Sequence, residues 1–383
     1  MLINNKPIAI VGGGPGGLTL ARLLQMNGAN VKVYERDINR EARVQGATLD
    51  LHQESGLEAL RQAGLTEAFT ANYRPGAGRL RVLDKQAMIR LDDHERNLFE
   101  EDRPEIDRGP LREILLDSLQ PDTVVWNSHF QSMKPVGDSW MLRFKNGSTA
   151  LADIVIAADG ANSKIRPFIT PIKPFYSGIT IVEGAVHNSE TASPNIHKLL
   201  KGGKIFALDD SKSLIVSAKG DGSLAFYTGC KTDESWSTTS GINFNDNAQV
   251  LAWFQNEFTG WAPVWSELII NAEPHFIPRP QYCMPLNQSW KALPNLTMIG
   301  DAAHLMPPYA GEGVNMAMQD ALELSLCLTS SQFADVQSAI AHYEQHMRAR
   351  ASEAAQMTLD STAMLHSPDS LNNLIELFEN MEK

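Results

Sequence analysis

Residues 7–17 read PIAIVGGGPGG, an apolar run that breaks into glycines at GxGxxG spacing: Gly12, Gly14 and Gly17. The run predicts a buried strand over 7–11. Gly17, Leu20, Ala21 and Leu24 share one face of a helix over 17–27. The first glycine permits a sharp turn from strand to helix, and the second lets a backbone approach a pyrophosphate. The third lets helix and strand pack closely. The helix N-terminus then offers unpaired N–H donors and partial positive charge to phosphates. A second strand over 30–34 ends at Glu35-Arg36, where an acidic side chain can bind ribose hydroxyls. This is a complete βαβ opening with parallel, adjacent strands. It is expected to bind a dinucleotide, the alternative being a merely tight βα turn.

Far downstream, Ile299 to Asn315 reads IGDAAHLMPPYAGEGVN. Leu296–Ile299 resembles a return to the buried parallel sheet, and Asp301 at its carboxyl end can accept a hydrogen bond from a ribityl hydroxyl. Gly311, Gly313, Val314 and Asn315 open another helix, whose positive end would face a flavin ring. Alone, Asp301 reads equally well as a helix N-cap and the glycines as loop residues. Beside the N-terminal fingerprint, the segment points to FAD held between the two ends of the chain. Asp159-Gly160, after an expected strand ADIVIA over 152–157, reads as a further cofactor contact or an ordinary strand-to-turn transition.

At 383 residues the chain can bury substantial cores in two or three domains. A hydrophobic content of 43% and a charged content of 20% fit an ordinary globular protein. The formal net charge of −12 argues against broad binding to nucleic acid or to an anionic membrane. Cys230, Cys283 and Cys327 are far apart and show no CxxC spacing, as expected of reduced thiols. The apolar run at the start is too short for a membrane span and no targeting segment is apparent, so a cytoplasmic monomer is expected.

The expected architecture is α/β: a Rossmann-like FAD-binding domain, an inserted antiparallel-sheet substrate domain and a long C-terminal helix. Residues 1–170 and 276–330 would form the two parts of the FAD domain, 171–275 the substrate sheet and 331–383 a helical segment bridging the domains. Helices are expected over 55–72, 110–119, 247–270 and 335–364, and a strand over 281–286. The runs GITIVEGAV, GKIFALDD, SLIVSAK and SLAFYTG between Ser177 and Gly229 read as the inserted sheet. Arg43, Arg108, Arg112 and Arg166 could each be solvated cations, although Arg108 and Arg112 lie i,i+4 and could bind an anion together. His52 and His304 have no partner at metal-ligand spacing and read as hydrogen-bonded structural residues. No metal constellation and no nucleophile elbow stand out.

Taken together, residues 7–17 with Glu35-Arg36, Asp159-Gly160 and Gly300-Asp301 resemble the single-component FAD-dependent monooxygenases of the aromatic-hydroxylase type. The resemblance covers nearly the whole chain in the right order. YERDINREARVQGATLDLH, IDRGPLREILLDSL and IGDAAHLMPPYAGEGVN look more narrowly like the tetracycline-inactivating monooxygenases. By that resemblance Glu35, Arg36, Asp50, Arg108 and Asp301 would contact FAD, and Arg43 would help recruit NADPH. Asp159-Gly160 would match the motif associated with both FAD and NAD(P)H. The resemblance implies NADPH-dependent hydroxylation by O₂, through a C4a-hydroperoxyflavin, of a phenolic or polycyclic, tetracycline-like compound. The flavin carries the chemistry, so no side chain is expected to act as acid, base or nucleophile in oxygen transfer.

The central sheet departs from that pattern. Where tetracycline-inactivating enzymes present a glutamine, an arginine and a histidine to the drug, this chain places Glu183, Lys204 and Ala225. Losing a donor that a polar substrate needs costs roughly 1–3 kcal/mol, enough to change the preferred substrate. Pro308, Gly311 and Met364 complete the expected substrate contacts, each with an ordinary packing or surface alternative. Two rivals stand beside this reading. One is a reductase or halogenase of the same fold, although the halogenase WxWxIP signature is absent; the other is a non-catalytic FAD-containing binding protein.

Overall fold

The computed structural model describes residues 2–42, 48–95 and 103–381. Its central sheet is parallel, in the order Leu296–Met298, Ile154–Ala157, Ile8–Val11, Val31–Tyr34, Val124–Val125. The first three of these strands are buried throughout. That is why their sequences are unbroken apolar runs, as in sheets covered on both faces. They are neighbours with parallel direction, so Gly12, Asp159 and Gly300 all emerge at the same edge. Three motifs lying far apart in the sequence, at Gly12, Asp159 and Gly300, thus meet at the carboxyl ends of adjacent strands, where ligands bind in open α/β sheets. The first helix, Pro15–Met26, starts earlier than expected because Pro15 suits a first helical turn.

A seven-stranded sheet runs Ile277–Cys283, Phe175–Val186, Leu224–Lys231, Lys212–Ala218, Lys204–Asp209, Leu80–Leu83, Ile89–Asp92. The four expected strands are all present, but the sheet is not purely antiparallel. Lys204–Asp209 pairs in parallel with Leu80–Leu83, a segment not foreseen as a strand. The strand expected over 281–286 lies at Ile277–Cys283, where the sheet edge tolerates Pro278 and Pro280. The helix expected over 55–72 is split into Gly56–Gln62 and Thr66–Thr70 by Gly64 at φ +71°. Likewise the 247–270 segment ends its first helix at Glu257 and resumes at Ser266, after Gly260 at φ +84° and Pro263.

The long helix Val336–Leu365 joins the two sheets, closed at its start by Asp335 accepting from Ser338 N–H at 2.8 Å. Near one end Tyr343 donates to the Met298 carbonyl at 3.1 Å. Just past the other end His366 meets Ser213 of the large sheet at 3.1 Å. A last helix, Ser370–Met381, packs Leu374 against Leu80, Val82 and Leu208 of the same sheet. Among the described residues no helix is long and apolar enough to cross a membrane, and no acid, histidine or cysteine cluster could hold a metal. All three cysteines are buried free thiols.

Candidate active site

One cavity of about 2190 Å³ runs from the glycine-rich turn to the face of the large sheet. At its first end Gly12 adopts φ +115°, and a Cβ there would sit 2.1 Å from the Ala158 carbonyl. A Cβ on Gly17 would come within 2.2 Å of the Gly12 carbonyl, whereas one on Gly14 would meet no protein atom within 4 Å. Gly12 and Gly17 therefore serve packing, and Gly14 keeps a lane open above the helix N-terminus. Arg36 and Arg108 line the same end as exposed cations. Arg112 also lines it, but is committed to Asp37 at 3.2 Å and stacks on Trp126.

Glu35 is almost fully buried and lies outside the cavity lining; it accepts backbone N–H bonds from Gly13 at 2.5 Å and Asp37 at 3.0 Å. It braces the glycine turn through backbone hydrogen bonds that the sequence did not announce. Asp159 also stands just behind the lining, formed there by Ala158, Gly160 and Ala161. Its Oδ2 accepts from Lys164 N–H at 2.9 Å, while its Oδ1 is buried without a partner. Burial pushes this carboxyl above the ordinary range. Arg43 lies outside the described residues.

Asp301 opens directly onto the cavity. Desolvation by the surrounding protein raises its carboxyl, against the pull of His304, Arg108 and Arg166. A network not readable in the sequence fixes it. Gly300 N–H donates to Asp320 at 2.8 Å, His304 meets the same oxygen at 2.6 Å, and Arg350 donates to the other at 2.7 Å. Arg166, which sequence left as a possible surface cation, is buried and donates to the carbonyls of Asp301 at 2.8 Å and Ala302 at 2.7 Å. It links the Asp159-Gly160 turn to the Gly300-Asp301 turn. His304 is the structural histidine expected.

Gly311, Gly313 and Val314 line the middle of the cavity. Asn315 does not: fully buried, it donates to the Asp50 carbonyl at 2.9 Å and accepts from His52 N–H at 2.9 Å. It staples the strand carrying Asp50 to the helix Glu312–Thr329. Desolvation works against ionisation of Asp50, but the hydrogen bond from His52 and the charge of Lys204 hold its carboxyl below the ordinary range.

At the sheet end, Glu183, Lys204, Pro308 and Met364 all line the cavity. Ala225 pairs in register with Ser217, a lining residue, and so shares that face, but it lies outside the lining itself. Tyr227, two residues on, takes the place expected of it. Sequence reasoning also missed Glu105, which is buried in contact with Lys204, and Arg279, which pairs with Glu183 at 2.5 Å. Burial pushes the Glu105 carboxyl up, and Lys204 pulls it back. Tyr309 lines the cavity beside Pro308, its ring edge-on to His366 at 5.0 Å.

Two observations fit this cavity to a flavin dinucleotide. The open lane at Gly14 leads from a helix N-terminus flanked by arginines, and Asp159, with its orphaned Oδ1, and cavity-facing Asp301 stand at adjacent strand ends. The sequence pattern of the FAD-binding-domain family matches residues 5–249 and 291–358. The chain belongs to that family. Monooxygenase asqM of Emericella nidulans is 28% identical, over 92% of this chain and 93% of its own. The 6-hydroxynicotinate 3-monooxygenase of Pseudomonas fluorescens is 25% identical, over 94% and 92%. Among solved structures, Klebsiella pneumoniae HpxO complexed with FAD and uric acid superposes with TM-score 0.77 at 21% identity, covering 100% of this chain and 94% of that one. Tetracycline destructase Tet(55) gives TM-score 0.79 at 18% identity, covering 100% and 97%. Within the family the chain is an FAD-dependent monooxygenase, and the relatives that match it end to end carry monooxygenase names.

Proposed function

We propose that this family member uses NADPH and O₂ to hydroxylate a phenolic or polycyclic compound bound against the seven-stranded sheet. The carrying observation is the continuity of one cavity from the Gly14 lane, past Asp301 and Gly311, to Glu183 and Lys204. When bound, FAD supplies the redox chemistry and the activation of O₂. Around it the chain binds and orients. Arg36, Arg108 and the helix at Pro15 would hold its phosphates, Asp301 and Asp50 would accept hydrogen bonds from its hydroxyls, and the Gly311–Gly313 turn would hold its ring. Pro308, Met364 and the sheet residues hold the substrate, and the apolar wall of Leu374 and Phe378 keeps bulk water away from it.

The test is direct. Protein purified with FAD is given NADPH and a panel of phenols, naphthols and tetracyclines. Substrate-stimulated NADPH oxidation with a product one oxygen atom heavier is expected. No coupled turnover with any member would remove the monooxygenase reading for this chamber, and turnover of tetracyclines alone would narrow it.

A further inference from the structure

The large sheet presents a row of directly opposed residues to the cavity: Ile277, Glu183, Tyr227, Ile215 and Phe206, one from each of five strands. Adjacent strands lie about 4.8 Å apart, so the row spans roughly 19 Å. The two cations that this sheet sends to the cavity stand at the row's two ends. Lys204 shares a strand with Phe206, and Arg279 shares one with Ile277. Each is already matched by a carboxylate of the chain itself. Lys204 contacts Glu105, and Arg279 Nε donates to Glu183 at 2.5 Å. Between the pairs the face is Ile181, Ile215, Phe206 and Tyr227, without a formal charge. Met364, Leu374 and Phe378, which pack with Phe206 at one end of this face, also line the cavity. The charged lining residues of the long helix, Glu353 and Asp360, are both acids.

We infer that the substrate is a neutral, carboxylate-free aromatic, seated between two self-neutralised ion pairs. The inference rests on the reading of this cavity end as the substrate chamber. A carboxylate entering it would have to take Lys204 or Arg279 from its internal partner. Displacing Glu105 would leave that carboxylate buried and uncompensated, and displacing Glu183 would leave two carboxylates competing for one rim cation. It would also face Glu353 and Asp360 with no cation in reach on the long helix. A neutral ring gives up nothing of the kind: it stacks on Tyr227 and Phe206 and buries apolar area against Ile181 and Ile215. Internal pairing of cations is thus a specificity device, acting by repulsion as well as by fit.

The experiment is isothermal titration of FAD-loaded protein with naphthol and with the matching hydroxynaphthoate, in the parent and in Glu183→Gln and Glu105→Gln. In the parent, the carboxylated ligand is expected to bind at least about tenfold more weakly, one lost charge-assisted interaction being worth a factor of that order. In Glu183→Gln, which frees Arg279 at the exposed rim, that ratio is expected to fall about tenfold. Glu105→Gln is expected to do the same through Lys204 if the buried substitution folds. Equal or tighter binding of hydroxynaphthoate by the parent overturns the inference. So does a Glu183→Gln variant that gains nothing for the acid, including when neither ligand binds the parent. Binding is read without turnover. Selective binding of naphthol without NADPH oxidation would therefore count against the monooxygenase reading and leave the charge selectivity standing.

Discussion

The Glu35 carboxylate accepts the Gly13 N–H at 2.5 Å, so the acid ending the second strand braces the glycine-rich turn from behind. Its other oxygen takes the Asp37 N–H at 3.0 Å. Glu35→Ala leaves two backbone donors near the cavity without their acceptor, costing roughly 1.5–3 kcal/mol for bonds to a charged group. Flavin fluorescence on dilution should show FAD held at least about tenfold more weakly, and Glu35→Gln, which keeps one acceptor, should fall between. Unchanged FAD affinity in Glu35→Ala would show that the turn holds its shape without the brace.

The three fingerprint glycines should separate into two classes. Gly12→Ala and Gly17→Ala drive a Cβ to 2.1 and 2.2 Å from backbone carbonyls, and Gly12 carries the added strain of φ +115°. Both should lower the melting temperature of FAD-free protein by several degrees, a loss of about 1–3 kcal/mol. Gly14→Ala meets no protein atom, so the FAD-free protein should melt as the parent does while FAD binding collapses. A Gly14→Ala protein that binds FAD normally would show that no ligand uses that lane.

The parts legible in the sequence are those whose chemistry is local. A glycine at a strand end, an acid beside it and an alternating strand announce themselves within a dozen residues, and all three cofactor motifs and four sheet strands did so. Leu80–Leu83 did not, because a four-residue run LRVL acquires its strand only by pairing with Lys204–Asp209, far along the chain. Arg166 and Glu105 were illegible for the same reason. Whether a charged side chain is solvated or buried is decided by its partners, here the Asp301 and Ala302 carbonyls and Lys204. Glu35 shows the converse: its position was foreseen, but its immediate partner is the chain's own backbone.

The network behind Asp301 should give stability a definite pH window. Burial works against a charged His304, but Asp320 outweighs it and holds the imidazole above its ordinary range, while Asp320 itself is held low despite its burial. A raised histidine contributes fully below its unfolded value near 6.5 and loses that contribution as pH rises through the higher folded value. A lowered aspartate contributes above about 4 and fails only as acid takes pH through its folded value. The pair is therefore strongest in mildly acid solution, between about pH 4 and about pH 6.5. Asp320→Asn takes the carboxylate from His304 and leaves Arg350 with Glu323 alone, and it should cost about 3–5 kcal/mol. It should also abolish the parent's decline in stability as pH rises above about 6.5, measured by denaturant melts. A decline of equal slope in the variant would place its origin outside this pair.

His366 should set the acid limit. Its Nδ1 donates to the Thr362 carbonyl at 2.8 Å, leaving Nε2 to accept from the Ser213 hydroxyl at 3.1 Å, with Tyr309 Oη at 3.4 Å. Gly229 makes room for the three, since a Cβ there would lie 2.3–2.6 Å from all of them. Burial pulls the imidazole down to about 4, only partly offset by the bond to Thr362. The folded chain thus keeps His366 neutral while the unfolded chain takes up a proton near pH 6.5, so stability is present above that value and drains as pH falls toward about 4. The loss amounts to at most ~3 kcal/mol. His366→Gln supplies an amide acceptor that does not titrate. Its melting temperature should fall less steeply than the parent's between about pH 7 and about pH 4.5. Because the His366 contacts join the Pro308–Ala310 turn to the sheet and the long helix, the folded parent's ligand affinity should hold over that range and weaken only as pH approaches about 4. A variant as acid-labile as the parent would show that the neutral histidine is not what fails.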